Sequence, residues 1–80
     1  MPTILRSGPY RVFFYSSDGA EPPHVHVQRG EAEAKFWLDP IRGARSSGFN
    51  PSELRRIQRI IVERQVQLLE AWYGFFGKEG

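Results

Sequence analysis

Two histidines stand two residues apart in His24-Val-His26-Val-Gln28-Arg29, directly after Pro22-Pro23. In a strand, alternate side chains share a face, so His24, His26 and Gln28 fall on one side and Val25 and Val27 on the other. With the valines inward, both imidazoles are left on an outward or cleft-facing side. Their Cα atoms would stand about 6.5–7 Å apart, near enough to act on one ligand. Three uses follow. A surface imidazole titrates near neutrality and can serve as general acid or base. Lys35 on the neighbouring strand could then hold a phosphate, the layout of a metal-independent endoribonuclease. A metal site would need further ligands. The chain has no cysteine, and the carboxylates on offer (Asp18, Glu33, Asp39) lie at no diagnostic spacing, so the spacing assigns no metal ligand. A structural use, in which the pair packs on Trp37 and bonds the preceding loop, outweighs both.

The elements that must position these residues read as α+β in a single domain, residues 1–80. Thr3–Arg6 and Tyr10–Tyr15 are rich in strand formers and are separated by Ser7-Gly8-Pro9, a turn. Ser16–Pro23 is a loop with its tightest turn at Asp18-Gly19. Prolines cannot donate to a ladder, so the next strand begins at His24. It runs to Arg29, and Ala32–Leu38 returns. With Gly30-Glu31 as the two turn residues, Val27 faces Ala34, Val25 faces Phe36, His26 faces Lys35 and His24 faces Trp37. Glu31 and Glu33 share a parity near that turn and read as a solvated rim. Ile41–Phe49 reads as a loop or weak edge strand. Asn50 then caps a helix, with Pro51 at its first position and Glu53 three residues past the cap. The helix is expected from Pro51 to about Tyr73, with Gly74 as its C-cap. Leu54, Ile57, Ile61, Leu68 and Trp72 form its apolar stripe, widened by Ile60 and Leu69. A break near Arg64 carries no Gly or Pro signal. The expected architecture is a small antiparallel sheet of three or four strands, one face covered by this long C-terminal amphipathic helix, in one piece or broken in two.

Charge is uneven along the chain. The net charge is +2, but residues 41–62 carry Arg42, Arg45, Arg55, Arg56 and Arg59 against Glu53 alone. The planar guanidinium suits phosphate contacts, although a solvated helix face is the simpler account of such a run. Trp37, Tyr10 and Tyr15 could stack on bases, but at strand parity they read first as sheet residues. Gly30, Gly43 and Gly48 match neither a phosphate loop nor a dinucleotide fingerprint, and no serine sits in a nucleophile elbow. Met1-Pro-Thr-Ile-Leu5 reads as no signal peptide, and the apolar runs are too short for a membrane span.

Met1-Pro-Thr-Ile4, Pro22-Pro23-His24-Val-His26-Val27, Gly30, Ala34-Lys35-Phe36 and Leu68-Leu69-Glu70-Ala71-Trp72 resemble a family of small bacterial proteins, family 4160 among the domains of unknown function. The resemblance spans nearly the whole chain, and the Pro-Pro-His-x-His-Val core followed by Ala-Lys-Phe is its most specific part. It implies a short cytoplasmic protein encoded beside another small protein, an arrangement similar to a toxin–antitoxin module. The motif covers Pro23, His24, His26, Gly30, Lys35 and Trp72, and brings no catalytic role with it. Many members carry His-Arg shortly before the final Trp, where this chain has Arg64-Gln65. A site that used that histidine with His24 and His26 would be altered here.

Taken together, these readings favour a binding or regulatory component of a two-gene toxin–antitoxin-like module. It would contact RNA or its cognate small protein through Arg42, Arg45, Arg55, Arg56, Arg59 and Trp37. The alternatives are an endoribonuclease with His24, His26 and Lys35 as catalytic groups, and a metal-binding protein. No cofactor and no membrane partner is expected. A homodimer would follow from an exposed face of Trp72, Phe75 and Phe76.

Overall fold

The computed structural model describes residues 3–77. Five strands precede two helices: β1 Thr3–Ser7, β2 Tyr10–Phe13, β3 His24–Arg29, β4 Ala32–Leu38, β5 Ile41–Ser47, α1 Pro51–Glu63 and α2 Gln65–Phe76, with a 3-10 turn at Ser16–Ala20 between β2 and β3. The sheet is an antiparallel meander in chain order, β1-β2-β3-β4-β5.

The central hairpin has the register that its alternation implies. His24 pairs with Trp37, Val25 with Phe36, His26 with Lys35 and Val27 with Ala34. Gly30 supplies the positive φ of the turn, at 60°. On one face Val12, Val25, Val27, Ala34, Phe36 and Leu38 meet Ile57, Ile61 and Leu68 from the helices to form the core. Asn50 accepts the Glu53 N–H at 2.8 Å and so caps α1, with Pro51 at its start.

Two expectations are corrected, the strand count and the cap of the last helix, and one left open, the break near Arg64, is decided. The sheet has five strands, not three or four. Residues 41–47 form a full strand, β5, whose side chains are nearly all exposed. Its Gly, Ala and Ser residues pack little, and it is held instead by the ladder to β4, with a bulge beside Lys35 and Phe36. The helical region is two helices. At Arg64 (φ −112°, ψ 16°) the helical backbone is interrupted; the Arg64 N–H donates to both Ile60 O and Ile61 O, while the Gln65 side chain donates to Leu38 O at 2.7 Å. This tertiary bond gives the chain a reason to turn where no Gly or Pro stands. Gly74 does not cap α2. The helix continues to Phe76 and Gly77 caps it (φ 94°), because Phe75 and Phe76 both fold against Phe14.

The histidine face differs most from expectation. It is not open: His24 is 0 % exposed, His26 4 % and Lys35 8 %. The aromatic end of α2 and the residues after β2 close over it. Trp72 and Trp37 flank the His24 ring, with centroids at 5.1 and 5.5 Å, while Phe13 and Tyr15 flank His26 at 5.5 and 4.8 Å. Trp72 is buried and Phe76 half-buried, leaving Phe75 exposed. The broad aromatic face from which a dimer would follow is therefore not present.

Candidate functional site

The 3-10 turn places a carboxylate over the histidines. Asp18 Oδ2 accepts the Tyr15 N–H at 2.9 Å, and the Asp18 N–H returns to Tyr15 O at 3.0 Å, so the short turn locks its own aspartate. That same Oδ2 lies 3.2 Å from His24 Nε2 and 3.1 Å from His26 Nε2. Both rings present Nε2 to one oxygen because they share a parity on β3, and because the loop from β2 returns across that parity.

The far nitrogens differ. His24 Nδ1 stands 2.9 Å from Pro22 O. A carbonyl only accepts, so Nδ1 carries the proton there and a neutral His24 has its lone pair at Nε2. His26 Nδ1 lies 3.4 Å from Glu33 Oε2. Among the described residues, the buried His24 Nε2 and His26 Nδ1 have no hydrogen-bond partner. Burial pushes the His26 imidazolium below its ordinary value, against the opposing pull of Asp18. Burial raises the Asp18 carboxyl, but the Tyr15 N–H and the two imidazoles outweigh it and hold the group below its ordinary value.

The pocket thus has more electron pairs than protons. With both rings neutral, at most one Nε2 can donate to Asp18, and His24 Nε2 then opposes a carboxylate oxygen lone pair to lone pair. A buried conflict of this kind is resolved by a cation, either a further proton or a metal ion. Lys35, the expected phosphate holder, is already paired: its Nζ lies 2.7 Å from Glu21 Oε1 and 4.6 Å from the centre of the Trp37 ring. Trp37 is half-buried between His24 and Lys35, so it belongs to this pocket rather than to the arginine flank.

The five arginines are all exposed, Arg42 and Arg45 on β5 and Arg55, Arg56 and Arg59 on α1. The fold does not gather all of them. Arg45 and Arg55 line one groove of about 320 Å³ between β5 and α1, with Phe36, Gly43, Leu54 and Gln58. Arg59 continues that flank beside Arg55. Arg42 lies apart, near Pro22, Pro23 and Trp37, and the Arg56 charge is felt by Glu53. Arg45 also borders a small cavity with His26, Glu33 and Lys35, which brings the flank next to the histidine pocket.

A family model described as a domain of unknown function (DUF4160) matches residues 10–73, more than half of the chain. The chain belongs to the DUF4160 family. The span matched by DUF4160 takes in Asp18, both histidines, Lys35, all five arginines and Trp72. No curated protein and no solved structure matches the chain. Among the described residues, no helix of this DUF4160 protein is long and apolar enough to cross a membrane.

Sequence reasoning named Asp18 only as one carboxylate among several, and missed Glu21 as the partner of Lys35. The available signal was the turn itself. An aspartate in Ser-Ser-Asp-Gly, in a loop between two strands of which the second carries the histidines, can cap its own backbone and still face the adjacent strand.

Proposed function

We propose that this DUF4160 protein is the RNA-binding component of a two-gene, toxin–antitoxin-like module, docking RNA phosphates on the flank formed by β5 and α1. The observation that carries the reading is the placing of Arg45 and Arg55 along one groove, with Arg59 beside Arg55 on the same flank and no carboxylate committed to any of them. Among the described residues, the arginine salt bridge is that of Arg29 with Glu53, and Arg42, Arg45, Arg55, Arg56 and Arg59 form none. A guanidinium that is not neutralised within the fold keeps its fork for a phosphate. β5 adds the outward N–H groups of a sheet edge. The two-gene setting, the cognate small protein and a cytoplasmic location rest on the family alone. The histidine pocket supports the endoribonuclease alternative less well: its ring nitrogens are buried and Lys35 is held by Glu21, so the cation expected to receive a phosphodiester beside an acid–base pair is not free.

The test is fluorescence anisotropy of a short single-stranded RNA with wild type and an Arg45→Ala, Arg55→Ala double variant. Wild-type affinity should fall by more than about tenfold between about 50 and about 200 mM salt, and the variant should flatten the log–log salt slope by roughly 1.4. Binding that is absent, or indifferent to salt, overturns the reading. Retention of a co-expressed neighbour protein without RNA would make it a protein-binding module. RNA cleavage lost in a folded His26→Gln variant would restore the endoribonuclease.

A further inference from the structure

We propose that Asp18, His24 and His26 form a binding site for a divalent transition-metal ion of the zinc type, held by Nε2 of each histidine and Oδ2 of the aspartate. The three donor atoms lie within 4.8 Å of one another. Zinc bonds to nitrogen and oxygen are about 2.0–2.2 Å, which places neighbouring donors about 3–3.5 Å apart. The two Nε2–Oδ2 separations, 3.2 and 3.1 Å, are already of that size.

The surroundings of the rings point the same way. A metal-bound imidazole typically donates its other N–H to a carbonyl or carboxylate, which fixes the tautomer and aims the ligating lone pair. Here His24 Nδ1 donates to the Pro22 carbonyl at 2.9 Å, and His26 Nδ1 faces the Glu33 carboxylate at 3.4 Å. His24, so held, directs its Nε2 lone pair at Asp18 Oδ2, and His26 Nε2 reaches the same oxygen at 3.1 Å. Three ligand atoms converge with at most the His26 proton between them, and His24 Nε2 is buried without a partner among the described residues. A cation placed among them satisfies all three donors together.

The ligand chemistry selects the ion. Two imidazoles and one carboxylate suit zinc and its neighbours, whereas magnesium and calcium take oxygen ligands. Three protein ligands leave one position for water or a ligand, the pattern of open zinc sites. The Asp18 side chain is 16 % exposed, so that position opens on the side of the 3-10 turn, while Phe13, Trp37 and Trp72 wall the other sides. This site does not depend on the RNA-binding reading.

The test uses the untagged chain, stripped with a chelator and titrated with zinc(II) by calorimetry and with cobalt(II) by visible absorption. One equivalent should bind, with cobalt d–d bands of low coordination number. Asp18→Asn, which keeps the shape of the turn, and His24→Gln should each weaken zinc by more than tenfold. Glu33→Gln should weaken it by about tenfold, as losses around the outer nitrogen do. Near-UV circular dichroism of Trp37 and Trp72 checks folding. Long-range ¹H–¹⁵N spectra of the wild-type rings give a readout free of any variant: zinc should shift both Nε2 resonances and leave Nδ1 protonated. No binding of either metal, binding unchanged in Asp18→Asn, or doubly protonated rings indifferent to zinc would overturn the site.

Discussion

Glu53 ties three elements with one side chain. It accepts from the Tyr10 hydroxyl at 2.8 Å and from Arg29 Nε and Nη2 at 2.7 and 3.0 Å, so the first turn of α1 is fastened to β2 and β3. It also sits where the helix dipole favours an anion. Glu53→Gln keeps the volume but turns an NH₂ group toward donors that need an acceptor. The variant should unfold at lower urea than wild type at pH 7, and the gap should narrow at acid pH as the wild-type carboxylate, held below its ordinary value by Arg29, takes up its proton. Parallel urea titrations at neutral and acid pH check this; a constant gap would mean that the contact acts through shape and not charge. Neither partner of this cluster shows in the sequence. Glu53 reads there as a capping residue, and Arg29 as the last residue of a strand, because their meeting depends on how α1 crosses the sheet. Asp18 escaped for the same reason: its position over His24 and His26 is set by a turn geometry that residue types permit but do not require.

Elements were legible where local pattern and tertiary demand agree. The β3–β4 hairpin is one such case, since strict alternation with Gly30 at the turn leaves one register that buries the valines. The capped start of α1 is another. β5 was not, because its Gly, Ala and Ser residues carry weak strand preference and its order comes from hydrogen bonds offered by β4. The break at Arg64 was not, because it answers to Gln65 reaching Leu38 O across the fold. The face of the histidines was misread since alternation sorts residues into two faces but does not say that both will be covered. The second helix provides part of that cover, and its anchorage can be weighed. Leu68 is fully buried in the core while Val66, two residues earlier, is 69 % exposed. Leu68→Ala should destabilise by about 2–5 kcal/mol, and Val66→Ala by less than about 0.5 kcal/mol. Chemical denaturation reads both. Equal effects would mean that α2 is not packed as described.

Across the whole molecule, the shifted acids and the shifted imidazole act with one sign. The Lys35 hydrogen bond holds the Glu21 carboxyl below its ordinary value, the Arg29 hydrogen bond does the same for Glu53, and Asp18 is lowered although burial opposes it. His26 is lowered chiefly by burial, from 6.5. In each case the unfolded chain takes up a proton at a higher pH than the folded chain does. Stability is therefore full above the unfolded values and lost as pH falls through the folded ones. For His26 the loss begins near pH 6.5, and for the carboxylates near about pH 4. With chelator present, urea midpoints should decline gently from pH 7.5 to 5.5 and steeply below about pH 4.5. The upper limb is the informative one. A neutral His26 in the fold requires that decline, whereas an imidazolium shared with Asp18 would make the midpoint rise as the pH is lowered toward 5.5. The sign of that limb thus reports which cation the crowded pocket takes when no metal is supplied. It also fixes the reference state from which zinc must displace or dispense with a proton. Zinc added at pH 7.5 should raise the midpoint in proportion to the logarithm of its free concentration, and the gain should shrink as protons compete for His26 near pH 5.5.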